Sequence, residues 1–368
     1  MTASVCAVFS VFYGGIIQPN HDPFHVWAGI CDIINIDIKE EPIVENHKQF
    51  DIVCAGIATW DTLFSGIDRD LMSIDGILSK GYTASSGGDA VNAAISTSRL
   101  GLRTAVCASL GKDSAAQMVI DELERAGVDC SYLHQSEHVH TAAPVILIDN
   151  QGERHIIRVP DNGNHFFTQD MVSDELLEKA GHLHVASANV MRRLDGKPLG
   201  ILFERAHTKG LTTSMDASYD REGNWMKNIE DALHHCDIFI PSMQEASIYA
   251  SSDDPDAICK FFSAYPLKVF GIKLGEKGVL VTDFKEKWHL PTLYRKQPVD
   301  TTGAGDAFLA GFVSAWLKGY DIPSSAYVGS AQSYSVLGAA GANVSAGTWD
   351  DAMKLLKENQ IILHEREQ

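Results

Sequence analysis

The chain has 368 residues, 45% of them hydrophobic, enough to bury a large core in one α/β domain with an appendage or in two domains. Its formal net charge of −18 argues against a nucleic-acid or anionic-membrane surface, while leaving local loops free to capture small anions. The seven cysteines are scattered without a CxxC pair, and most sit in apolar runs, as expected of free thiols in a reducing cytoplasm.

Residues 1–48 differ from the rest. Val5 to Ile17 is apolar enough to imitate a signal sequence, but no Lys or Arg precedes it and no A-x-A site follows. The run is also short for a membrane span. These residues are expected to be an N-terminal extension whose order the composition does not decide, with a noncleaved anchor as the weaker alternative. Phe50 to Ala58 then reads as a short buried strand, and Asp61 follows near its carboxyl end, where open α/β sheets bind ligands. Residues 62–85 hold no convincing long helix and suit strands or a flap.

Gly87-Gly88-Asp89 opens a helix closed by Gly101, with small residues along one face. Asp89 and Asn92 are three apart and share a side, where they would either bond substrate hydroxyls or cap the helix. Arg103 to Leu110 reads as a strand, followed by Gly111-Lys112-Asp113-Ser114 and a helix to Ala126. This is not a P-loop, because Val106 and Asp113 stand where that motif needs Gly and Ser/Thr. Thr141 to Asp149 and Arg154 to Pro160 flank Asn150-Gln151-Gly152-Glu153, a hairpin pattern. With residues 62–85 it would form a small sheet over a site.

Strand signals at His182–Ser187, Leu211–Asp216, Asp237–Ile240, Leu267–Lys273 and Gly278–Thr282 then alternate with helical stretches such as Pro198–Lys209 and Met226–His235. That alternation predicts βαβ units and a mainly parallel sheet. The pairs His182/His184 and His234/His235 lack a metal-ligand context; strand alternation and helix ends account for them. Ser242-Met243-Gln244-Glu245 starts a helix, with Glu245 either solvated or organising water around a phosphate-bound Mg²⁺. Lys273-Leu274-Gly275-Glu276-Lys277-Gly278 is a strand–turn–strand that either borders a nucleotide or is simply a turn.

Asp300-Thr301-Thr302-Gly303-Ala304-Gly305-Asp306 is the most informative stretch. Its glycines open an amphipathic helix ending at Gly319, and unpaired amides at a helix start attract anions. Asp306 lies in the first turn beside that anion site. Phosphate next to a fixed carboxylate suggests phosphoryl transfer; a Gly-rich turn with a capping Asp is the plainer account. Ser333 to Gly347 is rich in Ala, Gly and Ser, apt for close packing beside this helix.

Together, in this order, the Gly87–Gly101 and Asp300–Phe308 blocks resemble the ribokinase (PfkB-type) family of ATP-dependent sugar and nucleoside kinases, over roughly residues 50–360. The resemblance implies a ribokinase-like three-layer α/β/α fold with a mainly parallel central sheet and a small β-sheet lid. The kinase domain would span 49–360, with its lid formed by about 59–85 and 139–160, and 361–368 as a C-terminal tail. It implies Asp306 as catalytic base and Gly303, Ala304 and Gly305 as the anion hole. Asp61, Gly87, Gly88, Asp89, Asn92 and Thr141 fall at the sugar. Lys273, Gly275, Gly278 and Ser242 fall at the nucleotide. Glu245 would act on Mg²⁺ through water, and Asp300, Thr302, Gly341 and Ser345 look like a loop that holds a monovalent cation such as K⁺. Ser242 stands where the family usually has Asn, and Ala116 where Gly is common. Asp89 disfavours a negative substituent on the sugar. Implied partners are ATP and a small sugar, with neither nucleic acid nor membrane; lid-mediated homodimers are common among such relatives. The competing expectations are a nucleoside kinase, with Tyr82 as the nearest base-stacking aromatic, and a non-catalytic sugar-binding or regulatory protein. A dinucleotide-binding oxidoreductase fits least, since Phe308 replaces the third glycine.

Overall fold

The structure is a computed structural model that describes residues 48–367 other than 69–70, 152, 294–297, 299 and 339–340. The expected N-terminal extension therefore lies outside the described residues, Lys48 excepted. In chain order the strands are β1 (Ile52–Ala55), β2 (Thr59–Ile67), β3 (Gly81–Gly87), β4 (Thr104–Cys107), β5 (Ser109–Gly111), β6 (His134–Ser136) and β7 (Val145–Asp149). They continue with β8 (Arg154–Ile157), β9 (His182–Ala188), β10 (Thr212–Ala217), β11 (Ile238–Phe239), β12 (Val269–Lys273), β13 (Val279–Thr282) and β14 (Lys287–Leu290).

Eight of these form the central sheet, ordered β14-β13-β12-β11-β10-β9-β1-β4. From β4 to β12 every pair is parallel; β13 and β14 turn back antiparallel. Both faces are buried, and β1 shows how. Val53 and Ala55 join one core with the helices Lys197–Thr208, Met226–Leu233 and Pro255–Phe262, while Ile52 and Cys54 join another with Asp89–Arg99, Ser114–Arg125 and Ala304–Leu317. Alternate side chains leave a strand on opposite faces, so continuous apolar runs are what a sheet between two helical layers requires. The expected three-layer α/β/α fold is present.

A second sheet, β3-β2-β7-β8, is built from the segments read as strands or flap and as a hairpin. One expectation needs correction: Arg103 to Leu110 is not one strand. β4 pairs with β1, but β1 stops at Ala55 opposite Cys107, where the chain leaves for β2. With no neighbour left, the Ala108 carbonyl accepts from the His134 amide at 2.9 Å and the chain continues as β5 against β6.

Helix Ile322–Val336 packs against Ala304–Leu317 at close range. A Cβ on Gly311 would stand 2.8 Å from the Val328 carbonyl, and one on Gly329 would stand 2.7 Å from that of Phe308. Ser333 Oγ donates to the Ala304 carbonyl at 2.6 Å, tying this helix to the first turn of its neighbour. The C-terminal tail is held as well: the Asp321 amide donates to the His364 carbonyl and the Arg366 amide to that of Gly319.

His182 and His184 sit in the sheet interior, where their ring nitrogens meet Thr212 Oγ1 and Ser214 Oγ at 2.7–2.8 Å. Burial, with the partner ring adding to it, pushes the His182 pKa down to about 3; burial, then Lys273, pushes that of His184 to about 4. The unfolded chain takes up these protons near the ordinary value of 6.5, the folded one does not. Acid therefore favours unfolding between that value and about 4, by up to about 1.4 kcal/mol per pH unit for each histidine. Urea unfolding of the wild type and of a variant with Asn at both positions should give a shallower acid decline in the variant. Parallel declines would mean the histidines are not held neutral. Separately, Phe262 is fully buried with its ring stacked 4.4 Å from Phe270. Phe262→Ala is expected to cost about 3–5 kcal/mol, read as a lower urea midpoint at unchanged slope.

Candidate active site

The parallel strands end along one edge of the sheet, and a cleft of about 1170 Å³ opens there. Helix Ala304–Leu317 points its N-terminus into it. Gly303 caps that helix with φ 77°, a left-handed conformation that suits glycine, and a Cβ there would strike the Ala342 carbonyl. Among the described residues the Gly303, Gly305 and Asp306 amides have no backbone carbonyl partner, so they face the cleft as donors. Ala304 departs from expectation, because its amide donates to the Thr301 carbonyl at 3.3 Å within the turn.

Asp306 stands in the first turn, held by a relay of amides. Asn343 Nδ2 donates to Asn92 Oδ1 at 2.9 Å, and Asn92 Nδ2 donates to Asp306 Oδ2 at 2.8 Å. Asn343 itself is fixed on the Ser86 carbonyl at 3.0 Å, so the relay starts from strand β3. Burial pushes the Asp306 pKa well above the ordinary carboxylate range, and the charges of Asp89 and Asp216 push the same way; Asn92 and Lys273 oppose them.

Lys273 ends β12 with its ammonium 3.0 and 3.2 Å from the two carboxylate oxygens of Asp216, which lies near the end of β10. The same nitrogen would stand 3.1 Å from a Cβ on Gly305, so it flanks the helix start. Burial works against its charge, but Asp216, then Glu245 and Asp306, outweigh it and hold its pKa above the ordinary lysine value. Asp89 projects from the next helix, its Oδ2 accepting from Ser187 Oγ at 2.5 Å and Ser218 Oγ at 2.8 Å. Asp61 comes from β2 and accepts from Thr59 Oγ1 at 2.7 Å. Gly87 lies under it, since a Cβ there would meet the Asp61 carboxylate at 2.3 Å.

Of the sequence-predicted residues, Asp61, Gly88, Asp89, Asn92, Ser242, Glu245, Lys273, Gly275, Gly278, Thr302, Gly303, Ala304, Gly305 and Asp306 all line this cleft. Thr141 does not: it is buried, and its hydroxyl accepts from the Gly111 amide at 3.0 Å while its own amide donates to Asp113. It ties a loop to a helix cap, apart from the residues that line the cleft. Gly87 serves Asp61 from behind. Ser242 and Glu245 close a capping box, with Glu245 Oε2 accepting from the Ser242 amide at 2.8 Å. Tyr82 is 64% exposed, leans on Phe64 and is not among the cleft residues, so the aromatic expected of a nucleoside site is elsewhere. Sequence reading missed Asp216, Ser187, Ser218 and the positioning role of Asn343. Asp216 carried a usable signal, a carboxylate at the carboxyl end of a parallel strand; Asn343 carried none, because its partners are more than 250 residues away.

Two ion sites can be tested against this donor set. Asp89, Asp216, Glu245 and Asp306 surround one ammonium, an excess of negative oxygen that suits Mg²⁺ arriving on phosphates. The loop expected to hold a monovalent cation does not fit it. Asp300 Oδ1 accepts from the Thr302 amide (2.9 Å), Thr302 Oγ1 (2.7 Å) and the Arg154 guanidinium (2.9 Å), and Oδ2 accepts from the Gly341 amide (3.2 Å). Ser345 Oγ donates to the Ser335 carbonyl. Among the described residues no helix is long and apolar enough to cross a membrane, and the described cysteines, Cys54, Cys107, Cys130, Cys236 and Cys259, are unbridged.

Known proteins are similar to this chain in sequence and fold. The chain is 25% identical over 298 residues to an ATP-dependent 6-phosphofructokinase of Thermoanaerobacterium thermosaccharolyticum, covering 80% of this chain and 89% of that one. It is 28% identical over 321 residues to an ATP-dependent ribose-1-phosphate kinase of Halopiger xanaduensis, covering 83% and 98%. In fold it is similar to Arabidopsis thaliana ribokinase complexed with ribose and ATP, with a TM-score of 0.69 and 21% identity over 84% of this chain and 99% of that one. An Escherichia coli structure in complex with ATP and Mg²⁺ gives 0.73 at 18% identity, with the same coverage. Residues 50–349 match the family described as pfkB family carbohydrate kinase. The match covers most of the chain, and the chain belongs to the pfkB carbohydrate kinases, enzymes that move phosphate from ATP to a sugar.

Proposed function

We propose that the protein phosphorylates a hydroxyl of a neutral sugar or sugar-like polyol, with Asp306 as the base. The observation that carries this reading is the placement of Asp306: half-buried, oriented by Asn92, and one residue from open amides at a helix start. Those amides and the Lys273 ammonium are set to receive the γ-phosphoryl oxygens, while Asp306 aligns the acceptor hydroxyl and takes its proton. Phosphoryl transfer passes through a loose transition state, so positioning and charge neutralisation matter more than base strength. Mg²⁺, when bound with ATP, supplies further neutralisation, and Glu245 and Asp216 are the residues that would hold its waters. The sheet β3-β2-β7-β8 borders the cleft through Asp61 and acts in this reading as a lid that excludes water as a competing acceptor.

The acceptor end favours a neutral substrate. Asp61 and Asp89 lie there beside Asp306, and Lys273 is the one basic side chain among the described residues lining the cleft. Burial raises the pKa of both Asp61 and Asp89, with the charge of Asp89 adding to it at Asp61 and that of Asp216 at Asp89, and a phosphate or carboxylate on the sugar would find no counter-charge. A coupled ATP-consumption screen over neutral sugars, sugar acids, sugar phosphates and nucleosides checks this. A sugar phosphate or a nucleoside as the best acceptor would sink it.

Asp306→Asn should keep the affinity for ATP and sugar and lose about 10²–10⁴-fold in kcat, the usual worth of a positioned base. Because the Asp306 pKa is raised, the wild-type acid limb of kcat/KM should lie above the ordinary carboxylate range. Near-normal turnover in the variant removes the assigned role. Lys273→Met is expected to raise the KM for ATP about 10- to 100-fold, corresponding to the loss of charge-assisted bonds to phosphate.

A further inference from the structure

Asp300 lies three residues before Gly303, and its carboxylate gathers the loop around the helix start. Thr302 donates to it through both amide and hydroxyl, and the Gly341 amide reaches it from the loop that crosses behind Gly303. The side chain is 8% exposed, so its charge is nearly desolvated and needs a cation close by. The Arg154 guanidinium provides one, at 2.9 Å from Oδ1. It comes from β8, the outer strand of the four-stranded sheet, 146 residues away in sequence. Burial alone would lift the Asp300 pKa; the Thr302 and Gly341 donors, with Arg154, hold it below the usual value, so the carboxylate stays charged.

We propose that Arg154 is a positioning residue that takes the place of a monovalent cation at Asp300, so that the anion loop keeps its shape without K⁺. Three donors beside the guanidinium already occupy the Asp300 carboxylate, and a second cation at this spot would meet a fixed positive charge at contact distance. Ser345 is turned away, with its hydroxyl on the Ser335 carbonyl. The pair also joins the sheet bordering the cleft to the loop that receives phosphate. Arg154 is 46% exposed, and an exposed pair contributes little by itself. Its consequence is local: without it, a desolvated carboxylate lacks a counter-charge, and Thr302 and Gly341 lose their common anchor.

The proposal rests on the reading that the Gly303–Gly305 loop receives the nucleotide, and the test separates the two. Unfolding midpoints of the nucleotide-free protein in KCl, NaCl and choline chloride at constant ionic strength read the cation question alone. MgATP affinity by calorimetry in the same salts reads its effect on the loop. The wild type should show equal midpoints and MgATP affinities within about twofold across the salts. Arg154→Gln should bind MgATP about tenfold more weakly in choline chloride, the worth of one bond to a charged group, and KCl should recover part of the loss. Arg154→Lys should behave as the wild type. A K⁺-specific rise in the wild-type midpoint overturns the proposal, as does an Arg154→Gln variant that matches the wild type in choline chloride or gains nothing from KCl. Wild-type protein that binds no MgATP in any salt, with salt-independent midpoints, would instead remove the nucleotide reading and leave Arg154 as the cation at Asp300.

Discussion

The constraint behind the site is an imbalance of charge held partly out of water. Asp89, Asp216, Glu245 and Asp306 come from four different elements and converge at the ends of the parallel strands, where Lys273 is the one ammonium among the described residues lining the cleft. Carboxylates pressed together out of water cannot all keep ordinary pKa values; those of Asp89, Glu245 and Asp306 are raised, and that of Lys273 is raised in answer. Such an arrangement is costly for a structure and useful for a cleft. In the proposed reading it holds one residue ready to accept a proton and leaves room for positive charge to arrive with the nucleotide.

The rest of the chain makes that imbalance tolerable by satisfying each carboxylate locally. Ser187 and Ser218 donate to Asp89, Thr59 to Asp61, Asn92 to Asp306, and the Ser242 amide to Glu245. Each donor sits on an element already fixed by the sheet or by helix packing. The Asn343–Asn92–Asp306 relay and the Arg154–Asp300 pair extend this to the borders of the site. Both start on strands of the four-stranded sheet, at Ser86 on β3 and at Arg154 on β8. Placement of that sheet and geometry of the loop before Asp306 are therefore set by shared bonds.

Much of this was legible in the residues. Apolar runs separated by helical periods predict a parallel sheet between helices, and the β1 side chains divide between two cores as such runs require. Glycines before Asp306 and before Asp89 mark helix starts, and both helices begin there. The helix Ile322–Val336 was not legible as such, because its buried face is mostly small, with Ser324, Ser325, Ala326, Gly329, Ser330 and Ala331 around Val328 and Val336. Its Asp321 cap and the proline after it were the available signs.

By itself, then, the sequence determined the alternation of strands and helices that builds the parallel sheet, the helix start that faces the cleft and the carboxylate beside it, because spacing, glycine and capping chemistry act over a few residues. Tertiary structure decided which polar groups meet across the chain. It paired Lys273 with Asp216, turned Thr141 into a support, ran the amide relay from Asn343 to Asp306, and set a guanidinium on Asp300. Those partners lie 30 to 251 residues apart, and only closure of the sheets brings them within bonding distance, where removal from water makes each pairing necessary.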